Sequence, residues 1–125
     1  MAVRPDLLDV TPAAASALLL TAMRELGQPA YRAAQVVRRL WHQPARDFAA
    51  MTELPVALRE ALAERFTIRR LALAARQASS DGTEKFLFTL DDGQSIETVA
   101  IPDGDRMTFC ISSQAGCALK CAFCA

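Results

Sequence analysis

The apolar residues of this chain change their spacing once, near Phe66, and that change constrains the fold more than any other feature. Before it the period is helical. Leu18, Leu19, Ala22, Met23 and Leu26 recur as they would on a helix face. Thr11 before Pro12 is a cap followed by proline at the first helical position, and Gly27 ends the run. A second helix is predicted over 31–42, with Val36, Val37, Leu40 and Trp41 as its apolar stripe. Arg32, Gln35 and Arg39 fall on another face, with Arg38 nearby. A third helix begins near Pro55 and aligns Leu58, Leu62 and Phe66. After Phe66 the pattern turns to strands. Residues 68–77 are read as a strand, although their arginines and alanines weaken the pattern. Residues 84–90 and 95–101 are clearer strands, joined by the hairpin signal Asp91-Asp92-Gly93-Gln94. Pro102-Asp103-Gly104 is expected to break the chain, and 106–112 to form a further strand entering a cysteine-rich loop. The fold class is α+β.

Composition narrows the functional classes. Lys+Arg and Asp+Glu are both 14, so the total charge gives no support for nucleic-acid binding, although a local basic face would not show in the total. The segment Met1 to Asp9 does not resemble a secretory signal, and no run of about 18 apolar residues suggests a membrane span. The default compartment is the cytoplasm, with no membrane partner. All four cysteines, Cys110, Cys117, Cys121 and Cys124, fall in the last sixteen positions. Such clustering without a signal sequence reads as metal or redox chemistry and not as a disulfide framework.

The tail Cys117-Ala-Leu-Lys-Cys121-Ala-Phe-Cys124 has the spacing Cys-x3-Cys-x2-Cys. Three thiolates on one tight loop suit three irons of a 4Fe-4S cube, and the fourth iron is left open to chelate a small molecule. The spacing, with Phe123 before the last cysteine, resembles the radical S-adenosylmethionine (SAM) superfamily, in which that molecule is SAM. Structural zinc is the other metal reading, with a fourth ligand from His42 or Cys110. Three unrelated buried thiols are the plainest alternative.

The wider run from Cys110 through Ile-Ser-Ser-Gln-Ala-Gly to Cys117 and on to Cys124 resembles the bacterial radical-SAM methyltransferases that act on C2 of adenine in 23S ribosomal RNA and transfer RNA. Gly27-Gln28-Pro29-Ala30-Tyr31-Arg32-Ala33-Ala34-Gln35, Met51-Thr52-Glu53-Leu54-Pro55, Ser79-Ser80-Asp81-Gly82-Thr83 and Glu97-Thr98-Val99-Ala100-Ile101-Pro102 match that family in order. The resemblance implies that Cys117, Cys121 and Cys124 bind the 4Fe-4S cluster and that Glu97 is the proton acceptor. It implies that Cys110 resolves a covalent RNA–protein intermediate through a transient disulfide with a methyl-carrying cysteine near the family's C-terminus. It also implies SAM as cofactor, an electron donor for the cluster, 23S rRNA and tRNA as substrates, and a monomer.

The residues themselves leave plainer roles open. On an ideal strand Glu97 shares a face with Val99 and Ile101, which would suit a general base, but the residues alone favour a solvated edge glutamate. Cys110 alternates with Phe109 and Ile111, and a lone strand cysteine is most often a small buried hydrophobe. Arginines 32, 38, 39, 69 and 70 are candidate phosphate contacts or simply a solvated face.

The expected organisation is a helical accessory domain for RNA recognition over 1–67 and a β-hairpin segment over 68–104. The first strand and cluster loop of a truncated radical-SAM α/β barrel would follow over 105–125. Ala125 stands directly after the third cysteine, so the SAM-binding barrel and the methyl-carrying cysteine are expected elsewhere, and this polypeptide alone is expected to be inactive. Adenine-C8 methylation by the related superfamily enzyme and a non-catalytic RNA-binding module are the competing functions.

Overall fold

The computed structural model describes residues 3–123, which form two units that divide between Arg70 and Leu71. The first is helical. Helix α1, Pro12–Glu25, starts where the Thr11 hydroxyl accepts the Ala14 N–H. It stops at Gly27, whose φ of 63° is open to glycine without a Cβ penalty. There Gln28 N donates to Met23 O and Gly27 N to Arg24 O, which closes the helix end with a Schellman pair. Helix α2, Tyr31–Trp41, ends with the N–H groups of His42 and Gln43 both on Arg38 O. Helix α3, Val56–Arg65, follows Pro55.

Leu19 and Met23 from α1, Val36 and Leu40 from α2, and Leu58 and Leu62 from α3 are buried in one core. Burial of each such side chain contributes on the order of 2 kcal/mol. Leu18, expected in the α1 stripe, is exposed instead, because the buried face runs through Ala15, Leu19, Ala22 and Met23. The connection from α2 to α3 adds Phe48, Met51 and Leu54 to the same core. That irregular segment keeps its carbonyls satisfied through arginines. Arg59 donates to Ala49 O at 2.6 Å, Arg39 to Ala50 O at 3.2 Å, Arg32 to Glu53 O at 3.1 Å and Arg70 to Ala45 O at 2.9 Å. The start and end of the unit are tied by a parallel bridge between Asp6 and Thr67.

The second unit is one antiparallel sheet in chain order: β1 (Ala72–Ala78), β2 (Glu84–Thr89), β3 (Ser95–Asp103) and β4 (Arg106–Ile111). Its first two turns repeat one design. In Ser79–Thr83 and Leu90–Gln94, the glycine N–H returns to the first carbonyl, and the preceding aspartate accepts the N–H two residues on, at 2.9 Å in both.

Two expectations are corrected here. The first strand begins at Ala72, later than the 68 expected, because Thr67 and Arg69 are held by Asp6 and Arg70 by Leu40 and Ala45. Pro102 does not break the chain: β3 runs through it to Asp103, and Pro102 pairs with Met107. The β2–β3 ladder ends at Ala100, so beyond that point β3 has a neighbour on one edge only, where a residue lacking an N–H is tolerated.

Candidate active face and cluster loop

Side chains alternate between the two faces of this sheet, and cross-strand partners share a face. One face is largely apolar. It carries Phe86 and Phe88, whose rings stack 6.3 Å apart, with Ile96 opposite Phe88 and Thr98 and Ile111 in the row of Phe86; the next row holds Glu84, Ala100 and Phe109, and Arg76 pairs with Glu84 at its edge. The other face is mixed. Leu87 stands opposite Glu97, and in the next row Lys85, Val99 and Cys110 lie side by side. The structure therefore puts Glu97 and Cys110 on one face, with Cys110 turned away from the apolar row of its own strand.

Glu97 is not enclosed by apolar neighbours; its carboxylate is partly solvated, as the plainer reading of its residues expects. Its side chain is 47% exposed, and Lys85 Nζ lies 2.9 Å from Oε1. The pair borders a hollow of about 110 Å³ lined also by Ala75, Gln77 and Leu87. Lys85 is not legible as a partner of Glu97 from local pattern alone, yet the turn holds its signal. Counting outward from the Leu90–Gln94 closure pairs Leu87 with Glu97 and Lys85 with Val99.

The cysteine loop starts at this face. Ser112 N donates to the backbone oxygen of Glu97 at 3.2 Å, just past the end of β4. Further on, the backbone is left-handed at Gly116 (φ 83°) and at Lys120 (φ 45°), one residue before Cys117 and Cys121. Left-handed residues next to ordinary turn residues curl a loop into a concavity of N–H groups, a geometry that suits anionic and iron–sulfur groups. Cys117 is exposed and Cys121 partly so, and with Cys110 both are free thiols. No disulfide links these three, so the transient disulfide implied for Cys110 has no partner among the described residues. Cys124 lies outside the described residues. Among the described ones no three His, Cys, Asp or Glu side chains gather as a metal site. The soft donor set and the curled loop are compatible with a cluster.

The arginines singled out as phosphate contacts are mostly committed within the helical unit. Arg32, Arg39 and Arg70 donate to backbone carbonyls, and Arg69 bonds to Asp6 and Asp9. Arg38 alone of the five has no hydrogen-bond or ion-pair partner among the described residues.

A three-helix unit followed by an antiparallel sheet that feeds a Cys-x3-Cys-x2-Cys loop describes the opening of a radical-SAM methyltransferase, and relatives agree. The crystal structure of a radical SAM methyltransferase from Sphaerobacter thermophilus matches with a TM-score of 0.78 and 41% identity, covering 96% of this chain and 34% of that one. A family model for the ribosomal RNA large subunit methyltransferase N-terminal domain matches residues 6–68. A probable dual-specificity RNA methyltransferase RlmN from Gemmatimonas aurantiaca is 69% identical over all of this chain and 35% of its own length. A dual-specificity RNA methyltransferase RlmN from Geotalea uraniireducens is 49% identical over 78% of this chain and 29% of its own length. The chain belongs to the family of the ribosomal RNA large subunit methyltransferase N-terminal domain, and it spans about a third of the length of these relatives. No helix among the described residues is long and apolar enough to cross a membrane.

Proposed function

We propose that this chain supplies the RNA-recognition unit and the opening of the catalytic core of an enzyme that methylates C2 of adenine in 23S rRNA and tRNA. In this reading 1–67 is the accessory domain, 68–104 the hairpin segment and 105–125 the start of the barrel with its cluster loop. The observation that carries it is the shared face of Glu97 and Cys110, with the cysteine loop anchored at the backbone of Glu97 itself. Adenine C2 is not nucleophilic, so polar methyl transfer fails there and a radical route is required.

Cys117, Cys121 and Cys124 would hold a 4Fe-4S cluster, which supplies the electron for reductive cleavage of SAM when a separate donor has charged it. The chain's own residues do the rest of the work assigned here. A Glu97 carboxylate oxygen accepts the proton lost from C2, and Lys85 fixes where that oxygen lies. Cys110 Sγ, as thiolate, attacks the sulfur that joins protein to RNA, forming the S–S bond as the S–C bond to the RNA breaks; the electron pair leaves with the RNA-bound carbon, which takes up a proton to become the methyl group. Its position on an exposed strand, facing the same side as Glu97, suits that encounter.

Anaerobic reconstitution with iron and sulfide, in the whole protein that carries this sequence, tests the proposal. A 4Fe-4S electron paramagnetic resonance signal that shifts on adding SAM is expected. Stoichiometric zinc, or a cluster blind to SAM, would overturn it.

A further inference from the structure

The zero net charge of the chain conceals a division. Residues 1–70 carry ten arginines against seven carboxylates, and residues 71–125 carry four cations against seven carboxylates, so the positive excess belongs to the helical unit. Most of that excess is committed. Beyond the arginines already described, Arg4 donates to Ala63 O, Arg46 pairs with Asp47 and Arg65 with Glu25. Of the arginines of this unit only Arg24 and Arg38 have no hydrogen-bond or ion-pair partner among the described residues.

Arg38 differs from Arg24 in its surroundings. It borders an open groove of about 490 Å³ between α1 and α2, lined by Ser16, Ala34, Val37, Arg38 and His42. His42 is the only histidine of the chain, lies one helical turn beyond Arg38, and is exposed. No carboxylate lines this groove. Two other grooves on the unit also border arginines, but in one Arg65 meets Glu25, and in the other Arg59 is spent on Ala49 O with Glu60 alongside.

An uncommitted guanidinium, an imidazole and a hydroxyl around a small apolar floor form a donor set for the non-bridging oxygens of a phosphodiester. The planar guanidinium offers two parallel N–H groups to one phosphate, which an ammonium does not. The alanine and valine floor leaves room for the adjoining sugar. Such contacts set the register of RNA on a protein without reading its bases, which suits an enzyme that takes both a ribosomal and a transfer RNA.

We propose that the Ser16–Arg38–His42 groove seats the phosphodiester backbone of the RNA substrate, with Arg38 as its charged contact. This rests on the reading of the chain as part of an RNA-modifying enzyme. The test is fluorescence anisotropy of a labelled, unmodified tRNA transcript titrated with the 125-residue chain over a range of salt. Arg38→Gln is expected to weaken binding about three- to tenfold and to lower the slope of log K against log salt by about 1. Arg24→Gln removes the same charge from a free arginine outside the groove and is expected to leave both nearly unchanged. Arg38→Lys keeps the charge and is expected to fall between. Equal losses from Arg38→Gln and Arg24→Gln would overturn the groove while leaving RNA binding by the unit intact. No binding by the unsubstituted chain would overturn the RNA reading of this unit, and the groove with it. Equal melting temperatures for the three variants separate lost contact from lost fold.

Discussion

Lys85 and Glu97 meet diagonally across the β2–β3 ladder, Nζ to Oε1 at 2.9 Å, on the face that also carries Cys110. Both side chains are nearly half exposed, so the pair adds at most about 1 kcal/mol to stability. Its value lies in holding the carboxylate in one place.

Glu97 therefore separates function from stability. Glu97→Gln should shift unfolding free energy by less than about 0.5 kcal/mol in urea denaturation of this chain. In the whole protein the same change should lower methylation by about a hundredfold or more, read from incorporation of labelled methyl into RNA. A loss of fold that matched the loss of turnover would remove Glu97 from the proposed chemistry.

Asp6 is the buried charge that closes the helical unit. Its side chain is 1% exposed and accepts from Leu8 N, the Thr67 hydroxyl, and Arg69 N and Nε. Burial alone pushes the carboxyl up, but these donors together outweigh it and hold Asp6 below its ordinary value near 3.8. A carboxylate lowered in the folded state contributes stability that is complete above the ordinary value. That contribution is lost as pH falls through the lowered one. The melting temperature of the helical unit should fall below about pH 4, and Asp6→Asn should flatten that acid limb. Asp6→Ala should cost about 2 kcal/mol at neutral pH, the Arg69 contribution being reduced by solvent.

Gly82 and Gly93 occupy equivalent turn positions but should respond differently to alanine. Both have positive φ, 86° and 82°, so each substitution carries a backbone penalty of about 1 kcal/mol. At Gly82 an added Cβ would also come within 3.1 Å of Pro102 Cγ, whereas at Gly93 it meets open space. Gly82→Ala should be the more destabilising of the two in chemical denaturation of the sheet. The reverse order would mean that Pro102 yields freely.

Arg70 binds two carbonyls, Leu40 O through one terminal nitrogen and Ala45 O through Nε, both at 2.9 Å. A lysine cannot span both from one nitrogen in the same planar geometry. Arg70→Lys should cost about 1 kcal/mol, measured as faster amide exchange around the end of α2.

Much of this architecture was legible in the residues, and the failures share a cause. The helices announced themselves because Leu19, Met23, Val36, Leu40, Leu58 and Leu62 keep helical spacing, and Thr11-Pro12 and Gly27 punctuate α1 as expected. The turn at Asp91–Gln94 fixed the β2–β3 register. Local pattern could not foresee partners distant in the chain. Pro102 reads as a breaker until β2 is known to end opposite Ala100. The arginines at 32, 39, 69 and 70 read as phosphate contacts or a solvated face until the carbonyls and carboxylates that hold them are in place. Glu97 and Cys110 were named from motifs, and their common face follows from the register of three strands.

That register gives the Leu90–Gln94 turn an importance out of proportion to its chemistry. Sliding β3 by one position against β2 would swap its faces, sending Glu97 in among Phe86 and Phe88 and carrying the anchor of Ser112 with it. The sheet does absorb an irregularity, but at Ala74 on β1, with two strands between it and Cys110. The turn is thus a length gauge. A single inserted or deleted codon there would displace a carboxylate and a thiol that the turn never touches.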